Sequence, residues 1–261
     1  MKKSDLMKLG AGVLMALGMA SAAQAGIADT KHNLSTGGTQ SVHQTSGGGG
    51  TAEICVFCHT PHGANTSVAA PLWNKPTNGG TYTVYDVNYS STIDGTVDMG
   101  GVSLACLSCH DGTQAMDTMI NKPGSGGYNA AGSQFGGTWT GTADGKIPAG
   151  IANLGTSLTN DHPVGIQYCG GGIIAGGGTC KDGDFKAVTE GTIGTGTFWW
   201  VDTGGAGRQK TDLPLYGRTV GGVFQPMVEC ASCHDPHTTA QATFLRISNA
   251  ASALCLSCHT K

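Results

Sequence analysis

Cys55-Val-Phe-Cys58-His59-Thr-Pro-His62 puts two cysteines and two histidines within eight residues. Three chemistries use such a cluster: a zinc site, a redox disulfide and a covalently attached haem. Repetition decides among them. Cys106-Leu-Ser-Cys109-His110, Cys230-Ala-Ser-Cys233-His234 and Cys255-Leu-Ser-Cys258-His259 repeat the C-x-x-C-H pattern, the attachment signature of c-type haem. Two thiols at this spacing can each add across one vinyl group, and the imidazole that follows projects onto the iron from the same side. Four C-x-x-C pairs could also build two Cys₄ zinc sites, but zinc has no use for a histidine after every second cysteine. A thioredoxin-like pair is expected once, near a βαβ pattern that is not visible here. The sequence therefore calls for four covalent haem c groups, with His59, His110, His234 and His259 as proximal ligands.

The copies alternate in type. Glu53-Ile-Cys55 to His62 resembles Glu229-Cys230 to His237, and Ser103 to His110 resembles Ser252 to His259. This reads as a duplicated dihaem unit, with pairs at about 55–110 and 230–259 and a glycine-rich insertion over about 115–228. Residues 26–261 then form one tetrahaem domain.

Residues 1–25 have the layout of a secretory signal peptide: Lys2, Lys3 and Lys8, an apolar run from Leu9 to Ala20, and an Ala23–Gln24–Ala25 cleavage site. The run is too short to span a bilayer, and no later segment is a candidate. Removing three lysines and Asp5 from 14 basic and 17 acidic residues leaves 11 against 16, a net charge of −5. That balance speaks against a nucleic-acid partner, for which a basic footprint is the signature. Forty-four glycines and only 6% aromatic residues leave little side-chain bulk for a core, so something other than side chains must fill the interior.

Four histidines are consumed as proximal ligands; His32, His43, His62, His162 and His237 remain. His62 and His237 follow their motifs by three residues, on the proximal side of their own haem, and the intervening Pro61 and Pro236 stiffen the path. Each is expected to ligate a neighbouring iron. Pro163 biases His162 towards an extended loop, and His32 lies near the N-terminus of the mature chain. These four are the candidate distal ligands. His43, just before a glycine linker, is the spare. Irons with imidazole on both faces have no vacancy for substrate, and their potentials lie below those of a histidine–methionine pair. The sequence reads as an electron carrier and not as an enzyme. Met99, Met116, Met119 and Met227 are left to packing.

Cys169 and Cys180 lie outside the motifs and are expected to form a disulfide. A second reading makes Cys180-Lys181 the end of an expanded fifth haem motif. Secondary structure is expected to be sparse, with short helices at the motifs, the best over about 249–258. Residues 81–89 and 196–203 have strand composition, suited to hairpins covering haem faces. Stretches 36–51 and 121–145 read as loops, and none of their glycines belongs to a phosphate-binding unit.

Thr30-Lys-His-Asn-Leu-Ser35, Glu53 to Ala64, Asn160-Asp-His-Pro-Val-Gly165 and Cys230 to His237 together resemble the extracellular multihaem c-type cytochromes of metal-reducing bacteria. The likeness is closest to the tetrahaem filament-forming branch, with hexahaem relatives. It implies a mostly coil subunit wrapped round a stack of four haems and placed outside the cell or on its surface. It also implies polymerisation, with a histidine of the N-terminal arm, His32 or His43, ligating a haem in the next subunit. Other redox proteins or extracellular electron acceptors would be its partners. A monomeric periplasmic shuttle and a multihaem reductase are the competing readings.

Overall fold

The computed structural model describes residues 26–77, 80–174 and 177–261; the leader reading over 1–25 lies outside them. Most of the chain is coil and turn. The motif helices are short: a single 3₁₀ turn at Cys55–Phe57, α1 (Ser103–His110), α2 (Cys230–Cys233) and α3 (Ala253–Cys258). The helix expected over 249–258 is α-helical only in its second half. A 3₁₀ turn precedes it, and Ala251 and Ser252 have positive φ. No helix among the described residues is long and apolar enough to cross a membrane.

Among the described residues eleven strands follow in chain order: β1 (His43–Gln44), β2 (Thr83–Val84), β3 (Thr118–Asn121), β4 (Tyr128–Gln134), β5 (Trp139–Thr140), β6 (Ser157–Leu158), β7 (Ile166–Gln167), β8 (Thr189–Ile193), β9 (Gly196–Val201), β10 (Leu213–Val220) and β11 (Val223–Val228). Two expectations are corrected here. Residues 81–89 form no hairpin: only Thr83 and Val84 are strand, paired in parallel with β6. Asp86 instead collects the amide and side chain of Asn88 in a turn, the local bonding by which Asp and Asn divert backbone from a ladder. Residues 36–51 and 121–145 are not all loop, since β1 pairs antiparallel with β5 and β3 with β4.

The insertion also holds more than hairpins. It folds into a five-stranded antiparallel sheet, ordered β7-β11-β10-β9-β8. Gly221 and Gly222, both at positive φ, make the two-residue turn from β10 to β11, a turn whose twist matches the strands and which needs residues free to adopt that φ. One sheet face builds a core from Tyr168, Cys169, Ile173, Cys180, Val188, Trp199, Val201, Leu213, Leu215 and Val228, with Leu254 and Cys258 packed against it. Cys169 and Cys180 are joined there in a disulfide, which leaves neither sulfur for a fifth attachment. Trp199 is thus a core residue of the sheet. A second cluster, Leu34, Phe57, Met116, Met119 and Trp139, seats Cys58 and Cys109. Each core therefore carries a motif cysteine on its edge, and that is how the fold positions the site.

Candidate haem site

The first and third motifs are held by one backbone device. After each motif the chain returns alongside it. Asn74 N–H donates to Cys58 O at 2.8 Å, Thr60 N–H to Leu72 O at 2.8 Å, and Pro71 O lies 2.7 Å from His59 Nδ1. In the third motif Arg246 N–H donates to Cys233 O at 2.9 Å, Asp235 N–H to Phe244 O at 2.8 Å, and Thr243 O lies 2.8 Å from His234 Nδ1. Leu72 and Phe244 are both at positive φ, which turns the carbonyl before each towards the imidazole. The second motif ends differently, with Ala152 O 2.7 Å from His110 Nδ1. A carbonyl at Nδ1 fixes the proton there and leaves Nε2 free to bind a metal.

The fourth motif is tied to the sheet core. Lys186 N–H donates to Cys258 O at 2.9 Å, and Tyr168 Oη–H to the same carbonyl at 3.2 Å. Phe185 packs on the His259 ring, with centroids 4.7 Å apart.

Three of the four motif histidines face one further histidine each. His59 and His237 are stacked with centroids 6.2 Å apart and planes at 19°. His110 and His32 lie 6.1 Å apart, and His259 and His162 lie 6.4 Å apart. Two imidazoles on opposite faces of one iron, each bonded at about 2.0 Å with its ring centre about 1.1 Å beyond the nitrogen, have centroids roughly 6.2 Å apart. The three separations fit that requirement. Burial holds His32 at about 4, helped by His110, and its sealed Nδ1 has no hydrogen-bond partner. Desolvation lowers His162 as well. Burial thus favours the neutral ring in both, the form a ligand needs.

His62 and His43 face no other imidazole among the described residues; His234 makes no ring pair there, though it lies within electrostatic reach of His32. His62 is exposed on the rim of a cleft lined by Cys55, His59, Lys122 and Tyr128. His43 sits in β1, with its Nδ1 2.6 Å from Gln40 O.

The thiols neighbour one another from motif to motif in chain order. Cys58 lies within electrostatic reach of Cys109, the Cys106 and Cys230 thiols are hydrogen-bonded, and Cys233 lies within reach of Cys255 and Cys258. The two ends, Cys55 and Cys255, are exposed. Burial pushes Cys58 and Cys258 up to about 12, so both are neutral thiols in the free chain. No three His, Cys, Asp or Glu side chains among the described residues converge as a metal cage. The residues thus fit haem and do not fit zinc. Each attached haem would supply a one-electron Fe(III)/Fe(II) couple.

Residues 225–261 match the family described as doubled CXXCH motif. The match covers the third and fourth motifs and indicates covalently bound haem c, the chemistry of a cytochrome-type electron carrier. No curated protein matches the chain.

Sequence reasoning missed two groups. One is the carbonyl return after the first and third motifs. Its spacing differs, with twelve residues from His59 to Pro71 and nine from His234 to Thr243, and this hides the likeness. The other is Asp235, buried, with Oδ1 3.3 Å from His237 Nδ1. Such a carboxylate raises the basicity of a metal-bound imidazole. Asp235→Asn is expected to weaken the His237 ligand about 10- to 100-fold, read as faster carbon monoxide binding at one ferrous haem. Unchanged binding would make the contact incidental.

Proposed function

We propose that the chain conducts electrons at low potential through four bis-histidine haem c groups. We further propose that it is exported and works as a subunit of an extracellular filament, carrying electrons from the cell to external acceptors such as metal oxides. The observation that carries the reading is the set of three facing histidine pairs at the separation two axial ligands require. No open iron is needed, so the chain acts as a carrier and not as a reductase.

The filament reading rests on the resemblance and on His234. His237 follows the third motif and faces the first, two places back along the thiol series. The same step taken from a second copy brings its His62 to the His234 iron. His32 faces the chain's own His110, so the donor between copies is His62 and not His32, and His43 stays the spare. Exposed Cys55 and Cys255 at the two ends of the series suit a chain of haems that continues from one copy to the next.

Intact mass of the secreted protein should show four haems, and electron microscopy should show filaments. His62→Ala should leave four haems attached, abolish the filaments and turn one haem high-spin. His43→Ala should change nothing. Fewer than four haems would end the motif reading. Monomers with four low-spin haems, unaffected by His62→Ala, would favour the periplasmic shuttle.

A further inference from the structure

Glu229 is wholly buried where two attachment segments meet. Ser103 Oγ–H, in the first turn of α1, donates to Glu229 Oε2, and Ser103 Oγ in turn accepts the Cys230 amide at 3.0 Å. One hydroxyl therefore ties the second motif to the third, beside the touching thiols of Cys106 and Cys230. Gly101, at positive φ, closes the pocket so tightly that a Cβ there would stand 2.7 Å from Glu229 Oε1.

The carboxylate is underpaired for its burial. Arg218 Nη2 lies 3.2 Å from Oε1, but that nitrogen donates to Asp98 O at 2.5 Å and Gly165 O at 3.2 Å. Oε1 is left without an aligned hydrogen bond. The motif itself does not demand this. Glu53, the matching residue of the first repeat, is exposed and accepts the Gly124 amide at 2.9 Å.

We propose that Glu229 is a proton-binding site coupled to reduction of the two central haems, held by the second and third motifs. The proposal rests on the four-haem reading. As an electron converts Fe(III) to Fe(II), the Glu229 carboxylate takes up one proton and becomes the neutral acid; oxidation releases it. Burial, the largest influence, pushes the carboxyl up to about 7. The Ser103 hydrogen bond and Arg218 pull it down, and Asp98 pushes it up. Tyr216 of β10 is the other titratable group facing it; Cys106 of α1 and Cys230 of α2, also beside it, become thioethers on haem attachment and do not titrate in the loaded chain. An added electron nearby favours the protonated form, so by linkage the central potentials fall as pH rises through neutrality.

The test is a spectroelectrochemical titration of the haem-loaded full chain from about pH 5 to pH 9. The native protein should show two haems whose midpoint falls across a window near neutrality and levels off on either side. Glu229→Gln should abolish that window, and Glu229→Asp should keep one. Ser103→Ala should move the window to higher pH, because the lost hydrogen bond favours the ionised form; this variant decides the matter if Glu229→Gln fails to fold. A flat native profile, or an identical profile in Glu229→Gln, would overturn the proposal. A chain without four haem signals would instead overturn the function on which it rests.

Discussion

His237→Ala is expected to make the haem held by Cys55, Cys58 and His59 high-spin while four haems remain attached. The two rings are stacked at 6.2 Å, and no third imidazole is placed to substitute. His62 lies only three residues beyond His59 and is exposed. His32 is engaged with His110 and packed under Phe244. The thioethers at Cys55 and Cys58 do not depend on the distal side, so the mass should change only by the side chain. About a quarter of the haem absorbance should shift to the high-spin form and bind carbon monoxide when reduced. Electron flow along the series should slow at its first position. Four unaltered low-spin haems would show that His237 is a loop histidine held by Asp235 and nothing more.

This expectation was legible in outline from the sequence, because Pro236 and the three-residue spacing direct His237 away from its own haem. Which haem it reaches was not legible. The third motif lies 175 residues after the first, Cys55 to Cys230, and no local pattern foretells that the ring of His237 comes to stack on that of His59.

The sheet was the least legible part of the fold. β9 was readable from Phe198, Trp199, Trp200 and Val201, but its neighbours were not. β8 and β10 are threaded with Thr, Gly and Pro, residues that carry little strand signal alone and are held by pairing across the ladder. In the same way Tyr82 had the composition of a strand residue, yet its hydroxyl donates to Asp111 Oδ2 at 2.9 Å, directly after the second motif. Composition reports what a residue favours, while here the partners across the fold decide.

Removing the disulfide by Cys169→Ala with Cys180→Ala is expected to loosen the fourth motif before the others. The bridge closes a loop with a sequence separation of 11, and the chain-entropy estimate for such a loop is about 3 kcal/mol. Both sulfurs are buried in the sheet core, and Cys169 is held at a φ of 69°, a conformation that costs a residue other than glycine free energy unless its surroundings enforce it. For a chain of this size the thermal midpoint should fall by about 5–10 °C. Alanine avoids placing a hydroxyl in that core, so the loss reports the bridge and not a buried polar group. The consequence for function follows from the hydrogen bonds that leave this core. Tyr168 precedes Cys169 and donates to Cys258 O, and Lys186, shortly after Cys180, donates to the same carbonyl. Slack in the bridge is therefore slack at His259. In a denaturant titration the haem facing His162 should lose its low-spin spectrum at lower denaturant than the His59 and His110 haems, whose motifs are seated in other clusters. Coincident loss of all four at the native midpoint would show that the bridge neither stabilises the sheet nor steadies the fourth haem.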